Sequence, residues 1–345
     1  MNTTLPHPDS VALNAALARQ AILTKPTGSL GRLEDIACRF AAWQGRAVPA
    51  PLSPAIAVFA ADHGVCEEGV SAYPSVVTGE MVKNFAAGGA AINVLAKGTG
   101  ARLEVVDVGV AVDLSQLPIV HAKVRAGSRN LAREAALTRA EVEAALEVGA
   151  AAARRAIADG ANLLVAGDMG IGNTTPSAAL ICRLTAYSPD VIVGRGTGVD
   201  DATLQLKQQV VGLALNRVAG RQLDGIDTLA ELGGLEIAAM VGFYLEGARQ
   251  RVPSLIDGFI ACAAALAGVA IAPGLRDWLL ASHRSQENGH GLALTALQLE
   301  PLVDLGLRLG EGSGAAACLP LLRLALELHA GMATFTEAGV SDKPA

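Results

Sequence analysis

The sequence predicts a doubly wound α/β fold on a mostly parallel, six-stranded, Rossmann-like sheet. Six short runs, at residues 55–61, 103–108, 162–166, 191–193, 255–260 and 278–281, are almost continuously apolar. Strands covered on both faces read this way. Long segments with helical spacing separate the runs, as the crossovers of a parallel sheet require. The composition agrees: 345 residues, 51% hydrophobic and 17% charged, are enough for a large core and argue against disorder.

Taken in order, residues 9–46 show helical spacing interrupted at Lys25-Pro26-Thr27-Gly28. Thr138 followed by Glu141 is a capping box opening a helix that runs to about Ile157. Residues 228–250 form one further helical pattern despite Gly233, Gly234 and Gly242. The longest uncharged stretch, residues 258–275, is mostly Ala and Gly and contains Pro273. It reads as a buried helix or a strand–helix pair rather than a membrane span. Residues 314–332 make a leucine-rich amphipathic helix with Pro320 near its start, and the tail 341–345 is expected to fray.

Several function classes drop out. A net charge of −6 without a basic run disfavours nucleic acid and anionic membranes, and 3% aromatics leaves few stacking platforms. Cys38, Cys66, Cys182, Cys262 and Cys318 are scattered and odd in number, which fits a reducing cytoplasm better than a disulfide framework. The start MNTTLPHPDS has neither a basic region nor an apolar one, so no secretory signal is expected.

The informative pattern is positional. Polar and glycine clusters begin where apolar runs stop: Asp62-His63-Gly64, the segment from Gly167 to Pro176, Gly194-Arg195-Gly196-Thr197-Gly198, and Ser282-His283-Arg284-Ser285. In a parallel sheet these share the carboxyl edge, where open α/β folds bind ligands. Ordinary loops use the same residue types, but four clusters on one edge favour a shared site. Gly170 and Gly172 let backbone approach a ligand, and Asn173, Thr174 and Thr175 are expected to cap a helix begun by Pro176. Free N–H groups there suit a phosphate. The segment is neither a Walker loop nor a dinucleotide fingerprint.

Two chemistries stay open on the residues alone. Asp62, His63, His283 and His290 could serve a metal-dependent hydrolase, though no HxxxH or HxH spacing supports it. Glu311 lies in Gly310-Glu311-Gly312-Ser313-Gly314, just before an apolar helix. At a cavity wall its pKa would rise and it could accept a proton near neutrality; at the surface it would merely sit near a helix start. No GxSxG nucleophile elbow is present.

These motifs, with Thr24-Lys25-Pro26-Thr27-Gly28-Ser29-Leu30-Gly31 and Ala61-Asp62-His63-Gly64-Val65, stand in the order found in one family. The sequence resembles the nicotinate-nucleotide–dimethylbenzimidazole phosphoribosyltransferases of cobalamin lower-ligand synthesis, from about Thr24 to Gly339. The resemblance implies transfer of the 5-phosphoribosyl group of nicotinate mononucleotide to 5,6-dimethylbenzimidazole, giving nicotinate and α-ribazole 5′-phosphate without cofactor or metal. It implies a cytoplasmic homodimer, with small molecules as the other partners. It also implies a small helical domain from both termini, residues 1–35 with 300–345, beside a catalytic domain of residues 36–299. Glu311 matches the family's catalytic glutamate, and Lys207 a lysine near the reaction centre. Asp168 stands where most relatives carry Glu. Gly170, Gly172, Asn173, Gly196 and Gly198 are the expected phosphate and ribose contacts, with Ser282 and His283 also expected to bind substrate. Tyr73 and Met81 are the expected walls for the acceptor ring.

Overall fold

The computed structural model describes residues 4–196 and 198–341. Thr197 and residues 342–345, most of the tail expected to fray, lie outside the described residues. The strands are β1 (Pro54–Ala61), β2 (Arg102–Gly109), β3 (Val120–His121), β4 (Leu163–Met169), β5 (Ser254–Ile256) and β6 (Leu279–Ala281). They form one sheet of order β3-β2-β1-β4-β5-β6, parallel at every pairing. The order reverses between β1 and β4, so the crevice for a ligand opens at their carboxyl ends.

The helices are α1 (Ser10–Ile22), α2 (Arg32–Gln44), α3 (Val76–Ala87), α4 (Ala91–Thr99), α5 (Arg139–Ala158), α6 (Thr174–Thr185), α7 (Pro189–Ile192), α8 (Asp201–Arg217), α9 (Gly225–Leu232), α10 (Leu235–Arg249), α11 (Phe259–Ile271), α12 (His290–Leu297), α13 (Ser313–Gly331) and α14 (Phe335–Ala338). All eight residues of β1 are buried, as expected of a central parallel strand. Phe59 on β1 meets Phe243 of α10 edge to face at 5.5 Å. Side chains of this size contribute about 1.5–3 kcal/mol each on burial. The Thr138–Glu141 capping box forms, with Thr138 Oγ1 accepting from Glu141 N and Glu141 Oε2 from Thr138 N.

The terminal helices pack together. Gln20 Nε2 lies 2.8 Å from His329 Nδ1, Arg19 Nε donates to the His329 carbonyl, and Lys25 pairs with Glu34 at 2.8 Å under cover. Among the described residues no helix is long and apolar enough to cross a membrane. The uncharged stretch instead supplies α11, ended before Pro273.

Four local expectations are corrected. Residues 191–193 are not a strand: Ser188 precedes α7, Pro189 takes its first position, and three apolar residues fit a helical turn as well as a strand. The expected strand at 255–260 stops at Ile256, because Asp257-Gly258 turns the chain into α11. The sixth strand is the two-residue β3, too short for periodicity to register. The single helix over 228–250 is two, α9 and α10, parted at Gly233-Gly234, where any side chain on Gly234 would strike the His63 ring.

Candidate active site

The loop from Gly310 to Gly312 crosses the carboxyl end of β4. Its three residues have φ of 88°, 64° and 85°, so a non-glycine residue, Glu311, is held left-handed between two glycines. Holding it there costs about 1–3 kcal/mol, and such strain gathers at functional sites. A side chain on Gly167 of β4 would run into the Glu311 carbonyl, so only glycine lets strand and loop meet. The result buries Glu311 to 5% exposure, with Oε2 accepting from Ile92 N at 3.3 Å. Burial raises its pKa, and the Ile92 amide at the start of α4 pulls the other way.

Two further buried acids stand beside it. Burial, then the charge of Asp257, pushes Asp168 up to about 8, although Asn173 Nδ2 donates to its Oδ2 at 2.9 Å. That bond also corrects an expectation: Asn173 does not cap α6 with its side chain, and Pro176 is the third helical residue rather than the first. Asp257 accepts from Gly312 N at 3.2 Å and Ala315 N at 2.9 Å, which ties the Glu311 loop to the end of β5. Burial pushes Asp257 up to about 7 against the pull of these amides. Among the described residues, no Lys or Arg side chain stands at ion-pair distance from any of the three; the His283 ring, whose pKa burial lowers, lies 3.9 Å from Asp257.

One cleft collects Asp168, Asn173, Thr174, Gly196, His283, Ser285, Glu287, Arg308 and Gly310 around Gly258, Phe259 and Ile260. Lys207, 2% exposed on α8, reaches in with Nζ 3.0 Å from Thr174 Oγ1, and burial lowers its pKa. Arg195 is instead bound to Asp201 and to the Val199 carbonyl. Of the other expected site residues, Gly170 packs on His63 and Gly172 on Cys66. Gly198 is exposed. Ser282 is fully buried, donating to the Ile256 carbonyl at 2.7 Å. Tyr73, 52% exposed, rims a second cleft with Asp62, His63, Cys66 and Ser128, while Met81 packs against the core. Tyr73 and Met81 therefore do not share one cleft wall.

The hydrolase reading finds no support. His63 Nε2 is 2.7 Å from Glu236 Oε1, and His290 accepts from Ser285 N while its Nε2 lies 3.2 Å from Cys262 Sγ. Burial pushes His63 down, but Glu236 more than offsets it; burial and His283 take His290 down to about 3. Among the described residues no three His, Cys, Asp or Glu side chains are grouped to hold a metal ion.

Sequence reading missed Asp257, Glu236, Glu287 and Arg308. The signal for Asp257 was present: ending the strand at Ile256 places it on the carboxyl edge beside the other clusters.

Comparison with known proteins points to one family. The family model DBI_PRT, described as a phosphoribosyltransferase, matches residues 5–340. A nicotinate-nucleotide–dimethylbenzimidazole phosphoribosyltransferase of Chromobacterium violaceum is 72% identical over the full length of both chains. One of Xanthomonas campestris pv. campestris (strain 8004) is 52% identical over 97% of this chain and 96% of its own. The crystal structure of such an enzyme from Thermus thermophilus superposes with a TM-score of 0.92 at 49% identity, covering 97% of this chain and 100% of that one. A second structure from that organism, of CobT, gives 0.94 at 50% identity, covering 96% and 100%.

Proposed function

The chain belongs to the nicotinate-nucleotide–dimethylbenzimidazole phosphoribosyltransferase family, and from that premise we propose how its own residues carry the transfer. The enzyme moves the 5-phosphoribosyl group of nicotinate mononucleotide to 5,6-dimethylbenzimidazole, releasing nicotinate and α-ribazole 5′-phosphate. The observation that carries the assignment of roles is the buried, strained Glu311, held at the carboxyl edge without a neighbouring cation among the described residues.

Nicotinate leaves as a neutral pyridine ring from a cationic one, so its departure needs little acid. The acceptor is a neutral azole. As one ring nitrogen bonds to the anomeric carbon, the other becomes acidic and sheds its proton to Glu311. A positioned base contributes about 10²- to 10⁴-fold. Asp168, protonated below a pH of about 8, faces the ribose as a neutral donor and does not repel the phosphate. Lys207 and Arg308 draw the phosphate toward the Gly196 loop and the amino end of α6. Tyr73, on the rim of the second cleft, is kept as the proposed contact for the acceptor ring; Met81, packed against the core, is not.

The proposal extends to a homodimer and a cytoplasmic setting. Leu305 and Leu309 are largely exposed on the approach to Glu311, which suits a covering subunit, and five free cysteines suit a reducing compartment. The division into residues 1–35 with 300–345 and 36–299 is kept as part of this reading, with α2 crossing residue 35. The test is direct: purified chain with nicotinate mononucleotide and dimethylbenzimidazole should release nicotinate and form the α-riboside phosphate without added metal. Folded protein that turns over neither would overturn the reading.

A further inference from the structure

After β6 the chain makes a loop held by its own hydrogen bonds. His290 Nδ1 accepts from Ser285 N at 2.8 Å, and Ser285 Oγ from Glu287 N at 3.4 Å. Glu287 is 8% exposed and lines the cleft with Asp168, Ser285 and Arg308. Its Oε2 is buried and has no hydrogen-bond partner among the described residues. A side chain on Gly194 would collide with that oxygen, so the backbone there is kept bare beneath it. An acceptor buried without a donor is costly, and a loop this constrained has no local way to relieve it.

An ionised glutamate side chain only accepts hydrogen bonds. A phosphoribosyl donor with ionised phosphate and nicotinate carboxylate offers O–H donors at two atoms, the ribose 2′- and 3′-hydroxyls. The phosphate, an anion, is excluded from Glu287 and has Lys207 and Arg308 instead. From this complementarity we infer that Glu287 is a substrate-binding residue for the ribose of the donor, its Oε2 accepting from a ribose hydroxyl. The inference rests on the proposed function and adds to it a specificity element, selection of ribosyl over deoxyribosyl donors. A site built around a hydroxyl rejects the analogue that lacks it, because its own polar atom is then stranded.

The experiment compares nicotinate mononucleotide with its 2′-deoxy and 3′-deoxy forms, using dimethylbenzimidazole as acceptor. Wild-type enzyme should lose about 10- to 100-fold in kcat/KM on at least one deoxy donor. Glu287→Gln should lose a similar factor on the ribosyl donor and little on that deoxy donor, so that the preference collapses. If Glu287 only supports Lys207 or the loop, the variant loses the same factor on all three donors, and the inference fails. If the variant does not fold, the wild-type preference still decides, since equal kcat/KM on all three donors overturns the inference. Absence of wild-type turnover on the ribosyl donor would instead sink the proposed function, so the two failures are distinguishable.

Discussion

Carboxylates in two regions of this chain meet opposite fates. At the amino end of α5, Glu141 accepts from both Arg129 and Thr138 N, and the Arg129 bond leads in holding its pKa down to about 2. At the carboxyl ends of β4 and β5, burial drives Asp168 up to about 8 and Asp257 up to about 7. The first group is half-wet and paired with guanidinium; the second is dry and lacks it. A carboxylate arranged for stability keeps its charge and its cation. One arranged for proton transfer is denied the cation and holds its proton more tightly, and the fold bears the cost.

The largest effect expected at the second region comes from Gly167→Ala. The added methyl would drive β4 away from the Glu311 peptide. Stability should fall by about 2–4 kcal/mol, measured by denaturant melts, and nicotinate release should fall at least ~10-fold as the loop shifts. Near-wild-type behaviour would mean that strand and loop are not jointly holding the carboxylate.

Next comes the sign of the pH dependence. A carboxyl whose folded pKa lies above its unfolded value binds its proton more tightly when folded, so its contribution is lost as pH rises. For Asp168 the window runs from about 3.8 to about 8. Wild type should therefore lose stability relative to Asp168→Asn across that range, by more than the ~1.4 kcal/mol worth of one pKa unit. A flat difference would remove the raised pKa. Activity should follow a bell, rising above the ordinary glutamate range as Glu311 ionises and falling near pH 8 as the acid cluster does. In Asp168→Asn the alkaline limb should disappear.

The smallest effect belongs to the first region. Glu141→Gln should cost about 1 kcal/mol through the weakened cap and ion pairs, with kcat unchanged. A loss of turnover there would erase the contrast between the regions.

What could be read from the sequence follows the same division. The Thr138–Glu141 cap is local, so four residues state it completely, and the clusters after β1, β4 and β6 mark the carboxyl edge because parallel strands leave their loops there. Residues 191–193 were not decidable, since three apolar residues satisfy a strand and a turn of α7 alike. Asp257 was hidden inside an overlong strand, and the stranded oxygen of Glu287 depends on Gly194, far away in the chain. Burial of a charge is a tertiary fact, and no window of sequence contains it.

The central claim is that Glu311 takes the acceptor's proton, and its most direct test varies the acidity of the proton while removing the base. Nicotinate release by Glu311→Gln is to be compared with wild type over a series of benzimidazoles of graded N–H acidity. The account predicts a loss of about 10²- to 10⁴-fold on dimethylbenzimidazole, shrinking as the acceptor becomes acidic enough to shed its own proton. Near-normal turnover, or a loss that stays constant across the series, would contradict it and leave Glu311 as a brace between its loop and α4.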